Sequence, residues 1–184
     1  MHIDESTVDQ FHRDGVVLLR DVLNPTDLDS ALSAWQWSVD NPGPLASGLI
    51  PGSDESFQDL CNPNALATYE PVVLKTPLAS IAQKLWGSTS VWFLYEQVFH
   101  KRTQDIPRTP WHQDTSYWSI RGSELIGFWL SFEAIPKEAA LEFVRGSHRQ
   151  TLYNTSRFDE NDPTIPIFEV GTDHPGYLPP LPDI

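Results

Sequence analysis

Residues 108–118 read Arg-Thr-Pro-Trp-His-Gln-Asp-Thr-Ser-Tyr-Trp, and the reading of the whole chain turns on them. In an extended segment, side chains two apart project to one face, so His112 and Asp114 meet while Gln113 points the other way. An imidazole and a carboxylate on one face can grip a single ion, and Trp111 and Tyr117 can wall a small-molecule site beside it. The spacing alone is weak. His-x-Asp occurs at His2-Ile3-Asp4, His12-Arg13-Asp14 and His112-Gln113-Asp114, where chance placement gives roughly half a match, so context decides. The first triplet lies at the chain start, where order is not the default. The second ends a helical pattern carried by Val8 and Phe11 and stopped by Gly15, and residues two apart on a helix diverge by about 200°. Only the third stands between strand-like segments and among aromatics.

A chain of 184 residues with 40% hydrophobic and 11% aromatic content is long enough for one domain with a real core. Its formal charge of −13 argues against nucleic acid and anionic membrane surfaces as partners. A single cysteine, Cys61, excludes an internal disulfide framework and fits a reducing compartment. No apolar run approaches the roughly 20 residues of a membrane span. The opening Met-His-Ile-Asp-Glu-Ser lacks the basic and apolar regions of a signal peptide, so a cytoplasmic location is expected.

Working outward, residues 6–13 read as a short helix capped by Ser6 or Thr7, followed by a buried strand at Val16–Leu19. Asn24-Pro25 opens a second helix whose Leu28, Ala31, Leu32, Trp35 and Val39 keep helical period until Asn41-Pro42-Gly43. Residues 42–64, rich in Pro, Gly, Ser and Asn, read as a long loop, either of the lid or binding kind or a disordered excursion. Thr76-Pro77 opens another helix through Leu85, stopped by Gly87. Ser90–Lys101 reads as a strand with Trp92, Leu94, Glu96, Val98 and His100 on one face and Phe93, Tyr95, Gln97, Phe99 and Lys101 on the other. The second face suits either a ligand-binding barrel interior, where Lys101 meets a carboxylate, or a solvated edge. Leu125–Phe132 and Leu141–Val144 read as further strands. Helices first and strands after predict a mainly β protein with flanking helices (α+β), an antiparallel sandwich or barrel.

Trp111-His112-Gln113-Asp114, then Tyr117, the apolar strand holding Trp129, and Arg145-Gly146-Ser147-His148 together resemble the signature of the phytanoyl-CoA dioxygenase family, within the iron(II) and 2-oxoglutarate dependent oxygenases. The opening Phe11-His12-Arg13-Asp14-Gly15-Val16-Val17-Leu18-Leu19-Arg20-Asp21-Val22-Leu23 is similar to the family's N-terminal helix and strand. The likeness covers most of residues 8–148. It implies a double-stranded β-helix, or jelly roll, with residues 1–184 forming one oxygenase domain. His112 and Asp114 match the first two iron ligands. Gln113 and Trp129 match active-site positions, Trp129 near the co-substrate, and Lys101 stands where a basic residue reaches 2-oxoglutarate. The implied reaction hydroxylates a small organic molecule while 2-oxoglutarate is decarboxylated to succinate. An acid at position 114 argues against a halogenase, which leaves that coordination position for a halide.

Two departures stand out. Glu138-Ala139-Ala140 replaces an Asn-Gly turn of the family, away from the chemistry. The family also supplies a second histidine and a 2-oxoglutarate arginine from strands beyond the Gly-Ser-His turn. Here the residues after His148 hold one histidine, His174, in a Thr-Asp-His-Pro-Gly turn, and the arginines Arg149 and Arg157. His148 matches the family's structural turn histidine. With 6 of the 16 prolines in residues 163–184, the tail reads as extended. The expectation is a jelly roll missing its final strands, whose exposed edges favour a homodimer. The rivals are a non-catalytic module of the same family, a cupin-like protein wanting more clustered histidines, and a hydrolase, for which no Gly-x-Ser-x-Gly elbow exists.

Overall fold

A computed structural model describes residues 3–48, 56–102, 109, 111–116, 118, 120 and 122–150. Contacts divide the chain into two compact units. The first comprises Met1–Val8, Leu18–Ile106 and Gly127–Ala140; the second comprises Asp9–Val17, Pro107–Ile126 and Leu141–Ile184.

In the first unit, helix α2 (Pro25–Asp40) begins where the sequence places it. Asn24 Oδ1 accepts from the Asp27 N–H at 3.0 Å and Asp27 Oδ2 accepts from the Asn24 N–H at 3.3 Å, a reciprocal cap that satisfies two otherwise orphaned donors. Ala31, Ala34 and Ser38 form its buried stripe. The small side chains let α3 (Leu66–Lys75) approach closely, with Val72 against Ala31 and Ala34, and with Tyr69, Leu78, Leu130 and Phe132 packed around them. At this contact the Ser38 and Tyr69 hydroxyls lie 3.0 Å apart, and burial pushes the Tyr69 phenol pKa up. Helix α4 (Leu78–Trp86) buries Ile81, Ala82 and Leu85 and ends at Gly87 in the left-handed conformation, φ 64°.

Strand β1 (Ser56–Leu60) pairs antiparallel with β2 (Gln97–Lys101), from Ser56 opposite Lys101 to Leu60 opposite Gln97, with α3 and α4 between them in sequence. A two-residue bridge to Ser47 covers the other side of β1. Asp59, 1% exposed, takes the Gly43 N–H at 2.8 Å, the Leu60 N–H at 2.9 Å and the Asn62 amide at 3.3 Å, so its buried carboxyl oxygens are satisfied and tie Gly43 and Asn62 to β1.

Several expectations are corrected. The supposed long loop 42–64 contains β1, and α3 was not foreseen. Of the strand expected at Ser90–Lys101 only Gln97–Lys101 forms; Trp92, 93% exposed, precedes it on an irregular segment. Val16–Leu19, Leu125–Phe132 and Leu141–Val144 are not strands. An apolar run signals contact with other side chains, whereas a strand also needs a ladder partner, and none of the three has one among the described residues. Leu130 and Phe132 are packed on helices instead. Among the described residues the architecture is four α-helices and one two-stranded sheet, which do not by themselves make up a double-stranded β-helix. No described helix is long and apolar enough to cross a membrane.

Candidate functional site

The second unit holds the His-x-Asp segment. Here the chain does not stay extended through 118: a 3-10 turn, η1 (Asp114–Ser116), starts at the acid itself. His112 Nε2 and Asp114 Oδ1 nevertheless face each other at 3.1 Å, their side chains 29% and 64% exposed. Gln113 leaves in another direction, its Nε2 donating to the Ser147 carbonyl at 3.0 Å. Ser147 O also accepts from the Gln150 N–H at 3.1 Å, so both lone pairs of that oxygen are used.

The Arg145–Arg149 turn is fastened to the end of α1 (Glu5–Asp14). A helix leaves its last four carbonyls without intrahelical donors. Here each finds one: Phe11 O from the Gly15 N–H at 2.8 Å, His12 O from His148 Nε2 at 3.2 Å, Arg13 O from Arg149 Nη2 at 2.9 Å and Asp14 O from the Gly146 N–H at 2.8 Å. Gly15, φ 77°, admits this approach, since a Cβ there would run into the His148 ring. Asp14 is gripped in a fork by Arg13 Nε at 2.9 Å and Nη2 at 3.1 Å. That hydrogen bonding outweighs desolvation and, with the charges of Arg13, Arg145 and Arg149, holds the Asp14 carboxyl below its ordinary pKa. Its 7% exposure reflects cover by the neighbouring guanidinium rather than depth in a core, since Arg13 itself is well exposed.

The first unit holds the other two expected residues. Trp129, half exposed, stacks on Phe99 with centroids 5.5 Å apart and planes 26° apart. Phe99 is fixed in turn by its carbonyl, which accepts from Trp35 Nε1 at 3.0 Å, and Trp35 meets His100 edge-on at 5.2 Å. Lys101 follows Phe99 by two residues on β2 and so shares its face. It is exposed, and partial desolvation lowers its ammonium pKa. A shallow concavity of about 480 Å³ on the outer face of α2, along Leu32, Gln36 and Asp40, contains none of these residues.

A family model, described as phytanoyl-CoA dioxygenase (PhyH), matches residues 11–167. The chain belongs to the phytanoyl-CoA dioxygenase family. No curated protein and no solved structure gives a significant match. At the family level this dioxygenase relative is an oxidoreductase of the iron and 2-oxoglutarate type. The match takes in the last turn of α1, the His112-x-Asp114 segment, Trp129 and the 145–149 turn.

The geometry of the pair can be tested against an ion of that kind. Nitrogen and oxygen ligands about 2.1 Å from a metal and at right angles to each other stand about 3.0 Å apart. The observed 3.1 Å fits this, and fits equally a shared proton that an ion would displace. Among the described residues no three His, Cys, Asp or Glu side chains converge to hold a metal. Tyr117, Arg157 and His174 lie outside the described residues. His148 Nε2 is engaged by the α1 carbonyl, as a structural histidine would be. Cys61 is exposed, with its thiol pushed up by desolvation and by the acids Glu96 and Asp59, the reverse of an activated nucleophile.

Sequence reasoning missed the Ser147 carbonyl and the role of Arg149. A backbone acceptor has no residue signature. The only trace lay in the glycines at 15 and 146, where two backbone segments come together.

Proposed function

We propose that this chain is an iron(II) and 2-oxoglutarate dependent dioxygenase that hydroxylates a small organic molecule, and that His112 and Asp114 are two of its iron ligands. The observation that carries the proposal is the 3.1 Å separation of His112 Nε2 and Asp114 Oδ1 inside the family match. When bound, iron(II) with 2-oxoglutarate and dioxygen supplies the oxidising chemistry, and 2-oxoglutarate leaves as succinate and carbon dioxide. Asp114 contributes the anionic donor and is exposed enough for an ion to reach it. His112 contributes a neutral nitrogen once its Nε2 gives up any proton shared with the acid.

Lys101 and Trp129 are proposed as co-substrate contacts on the family pattern. An ammonium supplies the charge complement of a carboxylate, and an indole held by stacking on Phe99 supplies a preset apolar wall. The family's jelly-roll core is part of this proposal. So is a reducing, cytoplasmic location, with which the single unactivated cysteine agrees.

One observation favours a second reading, a non-catalytic module of the same family: only two metal donors come together among the described residues. Succinate release from 2-oxoglutarate under air, with and without iron(II), separates the two. The proposal expects iron-dependent succinate from the native chain and none from Asp114→Ala. Near-native turnover in Asp114→Ala removes the ligand assignment, and iron-independent silence in both supports the module.

A further inference from the structure

Gln113 lies between the two donors of the pair, and its side chain is tied to a point outside the segment. Any rotation of the backbone that separates His112 from Asp114 must also swing Gln113, so an anchor on Gln113 restrains both neighbours at once. The anchor is the Ser147 carbonyl at 3.0 Å. That carbonyl sits on a turn with three separate attachments to the end of α1: Gly146 N–H to Asp14 O, His148 Nε2 to His12 O and Arg149 Nη2 to Arg13 O. A carbonyl on a loose turn would hold nothing in place. One fixed to the terminal carbonyls of a ten-residue helix has a defined position.

We propose that Gln113 is a positioning residue for the metal pair, and that the Arg145–Arg149 turn, clamped on the C-terminal carbonyls of α1, is the fixed point from which it acts. The inference rests on the assignment of His112 and Asp114 to a metal ion and deepens it. The end of α1 sets the spacing of the two donors through a chain of hydrogen bonds: helix carbonyls to turn, turn carbonyl to Gln113, Gln113 to its two neighbours in sequence. The amide hydrogen that makes this link belongs to the protein rather than to a bound molecule. Outer groups that orient metal ligands in this way typically change metal affinity by about 10–100-fold when removed.

The arrangement also assigns His148 a function at a distance. Its ring packs over Gly15 and holds the turn down through Nε2. A glutamine at that position carries an amide nitrogen that can take over the donor, whereas alanine cannot.

The test uses Mn(II) as the probe and the electron paramagnetic resonance signal of free Mn(II) as the readout, on the full chain well below the melting temperature of each variant. Asp114→Ala is included to report on the pair itself. Gln113→Met keeps the side-chain length and removes the donor; it is expected to weaken Mn(II) binding by about tenfold or more. His148→Ala is expected to do the same, and His148→Gln to recover most of the native affinity. Because both sites act through one carbonyl, Gln113→Met combined with His148→Ala is expected to bind about as well as the weaker single variant. Native affinity and an unchanged bound spectrum in Gln113→Met overturn the inference while leaving the ligand assignment standing. Multiplying losses in the double variant overturn the shared path. Mn(II) binding that survives Asp114→Ala overturns the ligand assignment, and the inference falls with it. A merely structural role lowers the melting temperature of Gln113→Met and His148→Ala without moving the Mn(II) affinity, which also overturns the inference.

Discussion

Substituting alanine for three glycines in turn separates backbone strain from steric approach at the α1 junction. Gly122 has no left-handed φ and open space where a Cβ would go, so Gly122→Ala is expected to change stability by less than about 0.5 kcal/mol. Gly87 has φ 64° and equally open space, so Gly87→Ala meets only the left-handed penalty, about 1 kcal/mol. Gly15 has φ 77° and a Cβ position that collides with three atoms of the His148 ring. Gly15→Ala therefore meets the same penalty and must also displace that ring, losing the His148–His12 hydrogen bond, for a total of about 2 kcal/mol or more. Thermal unfolding followed by circular dichroism reads the series as shifts in Tm. At about 2–4 °C per kcal/mol for a chain of this size, the expected losses are near zero for Gly122, about 2–4 °C for Gly87 and about 4–8 °C for Gly15. Equal losses at Gly15 and Gly87 would refute the close approach of His148 to α1. Equal effects at Gly87 and Gly122 would refute the strain argument itself.

Other outcomes follow from single contacts. Asn24→Ala removes the reciprocal cap of α2 and should cost about 1 kcal/mol by denaturant titration. Leu85→Ala, at a side chain 1% exposed, should cost about 2–5 kcal/mol in the same assay, the upper part of the range if the site cannot collapse. Asp14 has a folded pKa below its unfolded value of about 3.9, so its contribution is present above that pH and is lost as pH falls through the lower folded value. The stability gap between the native chain and Asp14→Asn should accordingly be constant at neutral pH and close on acidification; a gap that widens there contradicts the Arg13 fork.

The parts of the fold that could be read from the sequence are those with local punctuation. Asn24-Pro25 and Asp27 announce α2, and Thr76-Pro77 and Gly87 bracket α4, because caps and breakers act within a few residues. Helix α3 has Pro71 inside it and no side-chain cap, so nothing local marks it; its formation depends on Val72 meeting Ala31 and Ala34. Strand β1, Ser-Phe-Gln-Asp-Leu, is polar in composition and is a strand because β2 and Ser47 supply its ladder. Leu125–Phe132 is the reverse case: its apolar content serves packing, Leu130 and Phe132 lying against the helices, and it has no ladder partner among the described residues. In the site, the identities of His112 and Asp114 could be read from residue type and order, and they do face each other. Their anchorage could not be read, because it runs through main-chain oxygens of Ser147, His12 and Arg13, which any residue carries.

The central claim is that His112 and Asp114 hold iron together. Anaerobic titration of the native chain with iron(II) in the presence of 2-oxoglutarate, watching the weak visible charge-transfer band, addresses it most directly. The account predicts a band that saturates with iron and is lost in both His112→Ala and Asp114→Ala, with each variant still folded. A band of native intensity in either variant would contradict it.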